Sequence, residues 1–181
     1  MKSVLLMGTI VAFLLTTLAL GSGTAGSNGT TRVQVFFVRG DLGRCDKVYP
    51  VSRRVRRPTV LKGAVEALLR GPTAAERRRS YGGWFSARTA GMLRSIRLSQ
   101  DVAYIDFRDF RRVIPGASSS CGSASLLAQL NRTATQFPTV RRAIYSFKGS
   151  RRAFYEWLQL SPPDRSSARA RDPGVRRAPR P

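Results

Sequence analysis

Ser118–Gly149, SSSCGSASLLAQLNRTATQFPTVRRAIYSFKG, places a cysteine, an amphipathic helix and an aromatic strand in immediate succession. Ser120 reads as an N-cap. Leu127, Leu130, Ala134 and Phe137 then recur at i, i+3, i+7 and i+10, one apolar stripe of a helix that Pro138 ends. Further on, Ala143, Tyr145 and Phe147 alternate with Arg142, Ile144 and Ser146. That pattern, rich in aromatic and branched side chains, suits a central strand stopped at Gly149. The rest of the chain is expected to pack onto this pair of elements.

Upstream, Val33–Val38 is an apolar and aromatic run bounded by Arg39-Gly40-Asp41, a buried first strand. A loop with Cys45 leads to a second strand over Lys47–Val55, where Pro50 removes an amide donor and favours an edge. Thr59 caps a helix in which Leu61, Ala64, Val65, Leu68 and Leu69 share one face, and Gly71-Pro72 ends it. Thr73 and Glu76 have capping-box spacing for a short second helix that leaves Arg77–Arg79 exposed. Met92–Leu98 and Val102–Phe107 form a hairpin, and Arg151–Leu160 a short helix with Phe154, Trp157 and Leu158 on one side. The expected fold is α+β, a single domain with about five strands in one mixed sheet, packed by two main helices around 60–70 and 121–136 plus short helices.

The ends differ from the middle. Residues 1–25 combine Lys2, an apolar run from Val4 to Leu20 and small residues beyond it, an export signal that is either cleaved or kept as an N-terminal anchor. Residues 26–31 read as a linker, 32–160 as the domain, and 161–181, with five Pro and six Arg, as a disordered basic tail. No cysteine follows the apolar run to take a lipid. Outside a reducing cytosol the two cysteines, Cys45 and Cys121, can pair, which the chain-entropy model values at about 4 kcal/mol; the alternative is two buried free thiols. With no histidine and only two cysteines, a metal site is not expected, and no motif calls for a cofactor.

The 32 basic and 10 acidic residues leave a formal charge of +22. Such a surface attracts polyanions, unless its charges are simply solvated. The arginines are scattered as pairs, without an interleaved aromatic platform, and the leader points outward, so nucleic acid is not the expected partner. Anionic cell-envelope polymers, lipid head groups or an envelope protein are, with membrane contact only through an uncleaved leader. This places the protein outside the cytoplasm, secreted or held at the cell surface.

Tyr81, Trp84 and Phe85 form the most aromatic loop, which either lines a pocket or plugs the edge of the core. Asp106, Asp109 and Glu156 are the carboxylates that a wall-glycan hydrolase would use. Arg108, Arg111 and Arg112 surround the two aspartates, which favours ionised, salt-bridged groups over a raised pKa. No nucleophile motif such as G-x-S-x-G occurs.

The stretches Ala64–Thr73 (AVEALLRGPT), Val102–Phe107 (VAYIDF) and Thr135–Val140 (TQFPTV) resemble, in order and spacing, the GerMN domain of sporulation and spore germination proteins, with a family core over about 61–149. Cys45 with Tyr49-Pro50-Val51, Tyr81–Ser86, Ile114-Pro115 with Ser120–Ala124, and Phe154–Gln159 look like an exported, single-domain, two-cysteine bacterial branch of that family. The resemblance covers Val33–Leu160. It implies an extracytoplasmic α+β domain without an established catalytic centre, used for binding or scaffolding in envelope or spore-related assemblies. The sporulation protein that names the family carries the domain twice and is lipid-anchored, unlike the single copy here, and no functional residues carry over.

Overall fold

The computed structural model describes residues 29–40 and 44–163. The predicted leader, half of the linker (26–28) and the tail beyond residue 163 lie outside the described residues.

The first strand, β1 (Thr30–Arg39), pairs antiparallel with β2 (Tyr49–Arg56) in the register Val33↔Arg53, Val35↔Val51, Phe37↔Tyr49. The Arg57 amide donates to the Gly29 carbonyl at the end of the ladder, so the odd-numbered residues of β1 bond to β2 and the even-numbered ones turn to the other edge. There Val38 meets Gly82 of a two-residue strand, β3 (Tyr81–Gly82), giving the order β2-β1-β3. A second sheet has the order β4-β5-β6, from β4 (Leu93–Ser99), β5 (Val102–Phe107) and β6 (Arg142–Phe147). Its first pair is antiparallel and its second parallel. Gln100 and Asp101, both at positive φ, make the two-residue turn of the hairpin.

The single sheet of about five strands is thus replaced by two sheets of three. The reason lies at the free edge of β1. The Gln34 amide donates to Gln136 Oε1 (2.8 Å), the Phe36 amide to Thr133 Oγ1 (3.2 Å), and Gln136 Nε2 donates back to the Gln34 carbonyl (2.7 Å). Side chains at the end of a helix occupy the groups that a neighbouring strand would need, and the sheet stops there.

That helix, α3 (Ser120–Ala134), is capped by Ser119, whose hydroxyl accepts from the Gly122 amide (3.1 Å), one residue before the expected cap. It ends at Ala134, ahead of Pro138. Its buried face includes Leu126, Gln129, Leu130, Thr133 and Ala134, with Leu127 only half-buried. The face is wide because α3 packs against β1, β6 and α1 (Val60–Leu69) at once. Thr59 precedes α1, but its side chain makes no capping bond. The short α2 (Ala74–Arg78) has the expected capping box in full, and Arg77–Arg79 are exposed.

β6 lies at the edge of its sheet, with β5 in the centre. Its edge is covered by α4 (Arg151–Trp157), where the Tyr155 hydroxyl accepts from the Tyr145 amide (3.4 Å). Phe107, Phe110, Tyr145, Phe147 and Phe154 fill the space between, all at most 3% exposed. Cys45 and Cys121, 76 residues apart, form a disulfide (Cα–Cα 5.1 Å) that fastens the β1–β2 connection to the first turn of α3.

Candidate functional site

Each acidic residue among those described is tied to a cation. Asp46 lies near Arg44, Glu66 near Lys62 and Asp101 near Arg141. Glu156 on α4 pairs with Arg152 one turn away. Glu76 takes both guanidinium nitrogens of Arg53 (2.6 Å each), and this bond holds its carboxyl below the ordinary range against the opposing effect of burial.

The two aspartates that a wall-glycan hydrolase would use hold the fold together instead. Asp106 Oδ1 accepts from Ser146 Oγ (2.7 Å) and from the Gly149 amide (2.8 Å), while Oδ2 meets Arg94 Nη1 (2.6 Å). It therefore ties β5 to β4 and to the turn after β6. Asp109 accepts from Arg111 through the side chain (2.6–3.1 Å) and the backbone (3.1 Å), and this arginine pulls its pKa down. Both are ion-pair members, as the surrounding arginines suggested. The partner of Asp106, however, is Arg94 from across the hairpin. Tyr145 and Tyr155 have pKa values raised by burial, and the Tyr145 hydroxyl donates to Asn131 Oδ1 (2.8 Å).

The aromatic loop divides. Phe85 is 2% exposed and edge-on to Phe110, with 6.5 Å between ring centroids. Trp84 is half-buried beside Gly116, and Tyr81 lies under the Arg39 guanidinium (5.3 Å). No group of three His, Cys, Asp or Glu among the described residues could hold a metal, and no described helix is long and apolar enough to cross a membrane.

Two openings among the described residues are lined mainly by basic side chains. A cleft of about 540 Å³ is lined by Asp109, Arg111 and Arg112, with Arg111 already committed to Asp109. A groove of about 320 Å³ runs between β2 and α1, with Arg54, Arg56, Lys62 and Arg70 on its walls and Glu66 as the one acid among the described residues there. The side chains of Arg54, Arg56 and Arg70 have no hydrogen bond or ion pair among the described residues. The spacing of Lys62, Glu66 and Arg70 along one helix face is visible in the sequence. That β2 forms the opposite wall is not.

The fold and its surface define a small, disulfide-fastened α+β domain with a basic exterior. Residues 34–149 match the model of the family described as Germane, sporulation and spore germination, and the chain belongs to that family. The resemblance carried by Ala64–Thr73, Val102–Phe107 and Thr135–Val140 is thereby one of membership, since all three stretches fall inside the matched span. Among solved structures, the first GerMN domain of the sporulation protein GerM from Bacillus subtilis is similar at a TM-score of 0.43 and 13% identity, over 66% of this chain and 84% of that one. No curated protein matches the sequence.

Proposed function

We propose that this domain is a non-catalytic binding or scaffolding module that works outside the cytoplasm, where its surface arginines engage anionic polymers of the bacterial cell envelope. One observation carries this reading. Every carboxylate among the described residues is spent in an ion pair, and most of the described arginines have no carboxylate partner among them. The carboxylates a hydrolase would need support the same reading, because Asp106 and Asp109 are saturated by donors. The disulfide fits an oxidising compartment, as the export signal read from residues 1–25 does.

The test is sedimentation of the purified domain with isolated cell-wall material across a salt series. Binding is expected to fall steeply between low and physiological ionic strength, because the contacts are between exposed charges. Absent binding, or binding indifferent to salt, sinks the proposal. The same incubation should release no glycan fragments, and release that disappears in Asp106→Asn with folding intact would make the protein an enzyme.

A further inference from the structure

We infer that the groove between β2 and α1, with the outward face of the β1–β2 ribbon beside it, is the seat of an extended phosphodiester polymer. This rests on the polyanion-binding reading above and assigns it a place and a ligand chemistry. Along α1 the groove is lined by Thr59, Lys62, Gly63, Glu66 and Arg70, one helical stripe spanning roughly 16 Å at 1.5 Å per residue. Its cations are strung along that length, which suits a chain of charges better than a compact ion. Gly63 brings the two walls together: a Cβ there would stand 2.8 Å from Val55 Cβ, so strand and helix meet at the floor.

The charge balance in the groove is one-sided. Glu66 answers Lys62 only loosely, at 3.9 Å with both side chains exposed. Arg54 and Arg56 also belong to the outward face of the ribbon, where Arg54 stands directly opposite Arg32 on β1. Like charges in that position destabilise a strand pair, and none of the described acids is paired with either. On the inward face of the same strand Arg53 is fully compensated by Glu76. The ribbon thus neutralises its inner arginine and leaves the outer ones to be met from outside.

Two other occupants fit less well. A partner peptide adding itself as a strand would need the outward backbone groups of β2, the even-numbered residues. Pro50 has no amide to offer, and the Ser52 carbonyl already accepts from Arg53 Nη1 (3.1 Å), which leaves only Arg54 and Arg56 for pairing. A bilayer would gain little, since the exposed large apolar residues among those described are Leu98 and Leu160, neither in the groove. Recognition then falls to guanidinium forks, which match the paired oxygens of a phosphodiester.

The experiment compares two charge-matched double variants of the full domain for binding to poly(glycerol phosphate) at physiological ionic strength. Arg54→Glu with Arg70→Glu alters the groove, and Arg78→Glu with Arg79→Glu alters exposed cations on α2 by the same net charge. The groove variant is expected to lose affinity by on the order of ten-fold more than the α2 variant. Equal losses would overturn the groove assignment while the binding-module reading stands; no binding by the unaltered protein would overturn the phosphodiester assignment, and no binding to cell-wall material either would remove both. Tighter, groove-dependent binding of polyglutamate or of anionic vesicles would overturn the phosphodiester assignment. If charge reversal impairs folding, the same comparison is made with glutamine at all four positions, with the same outcomes decisive.

Discussion

Around β5 and β6, ring meets ring: Phe110 lies 4.9 Å from Phe147, Phe147 5.0 Å from Phe154, and Tyr145 5.4 Å from Phe154. Around the outer end of the β1–β2 ribbon, the apolar contact is a separate small cluster of Val33, Val55 and Ala64, with Val60 and Phe137 against it. The inner end of the ribbon reaches the main core through Val35 and Phe37, and directional ties are added along it: the bonds from Gln136 and Thr133, the Arg53–Glu76 pair and the Cys45–Cys121 link. The outer end of the ribbon, whose apolar contacts are that small cluster, is also the end that carries the basic groove. Arginines that must stay solvated leave little room for a core at that end, so covalent and polar ties add to it.

The largest effect should come from the aromatic half. Phe154 is fully buried and lies within ring-contact range of Phe107, Tyr145, Phe147, Tyr155 and Trp157. Phe154→Ala is expected to cost about 5 kcal/mol, the upper end for a buried aromatic, in urea unfolding. A loss under about 1 kcal/mol would mean that the rings are not the main support of that half. Next comes the disulfide. Its removal by Cys45→Ser with Cys121→Ser should cost about 4 kcal/mol in the chain-entropy model. Amide exchange should quicken at Val33 and Val35 well before Ile105, and a uniform increase across both sheets would erase the distinction between the halves.

A smaller loss sharpens the comparison at the edge of β1. Thr133→Val keeps the shape of a fully buried residue and removes the acceptor of the Phe36 amide. The expected cost is about 1–3 kcal/mol for a buried donor left unpaired. A neutral outcome would show that the helix side chains do not close the sheet. On the other side of the molecule, Tyr155→Phe removes the corresponding acceptor at the Tyr145 amide, where the bond is longer at 3.4 Å, and should cost less.

Much of this architecture was legible in the sequence, because periodicity reports local structure. β5 and β6 fall where alternation puts them, and the capping box of Thr73 and Glu76 announces α2 from four consecutive residues. The split into two sheets was not legible. Thr133 and Gln136 look like polar positions at a helix end, and their partners on β1 stand 97 and 102 residues away. The buried Gln129 was missed for a related reason, since a glutamine on a helix ordinarily marks its wet face. The cap of α3 was read one residue late because Ser118, Ser119 and Ser120 are chemically alike and only backbone geometry separates them. At the candidate site, the spacing of Lys62, Glu66 and Arg70 was visible, but the facing strand and the Arg32–Arg54 apposition depend on register.

The smallest effect concerns acid, and it again separates the halves. Glu76 in the ribbon half and Asp109 in the aromatic half both have depressed pKa values, each chiefly through one arginine. A carboxylate whose folded-state pKa lies below its unfolded value stabilises the protein fully at higher pH. That contribution drains away as the pH falls below the ordinary value, 4.5 for the glutamate and 3.8 for the aspartate, and through the folded-state one. The Glu76 and Arg53 side chains are 13% and 18% exposed, against 30% and 46% for Asp109 and Arg111, so solvent screens the second pair more. In melts recorded at decreasing pH, Glu76→Gln should therefore flatten the acid limb starting near pH 4.5, with Asp109→Asn doing so less and at lower pH. Equal flattening by the two variants would show that the ribbon gains no more from its better-shielded ion pair than the aromatic half gains from a more exposed one.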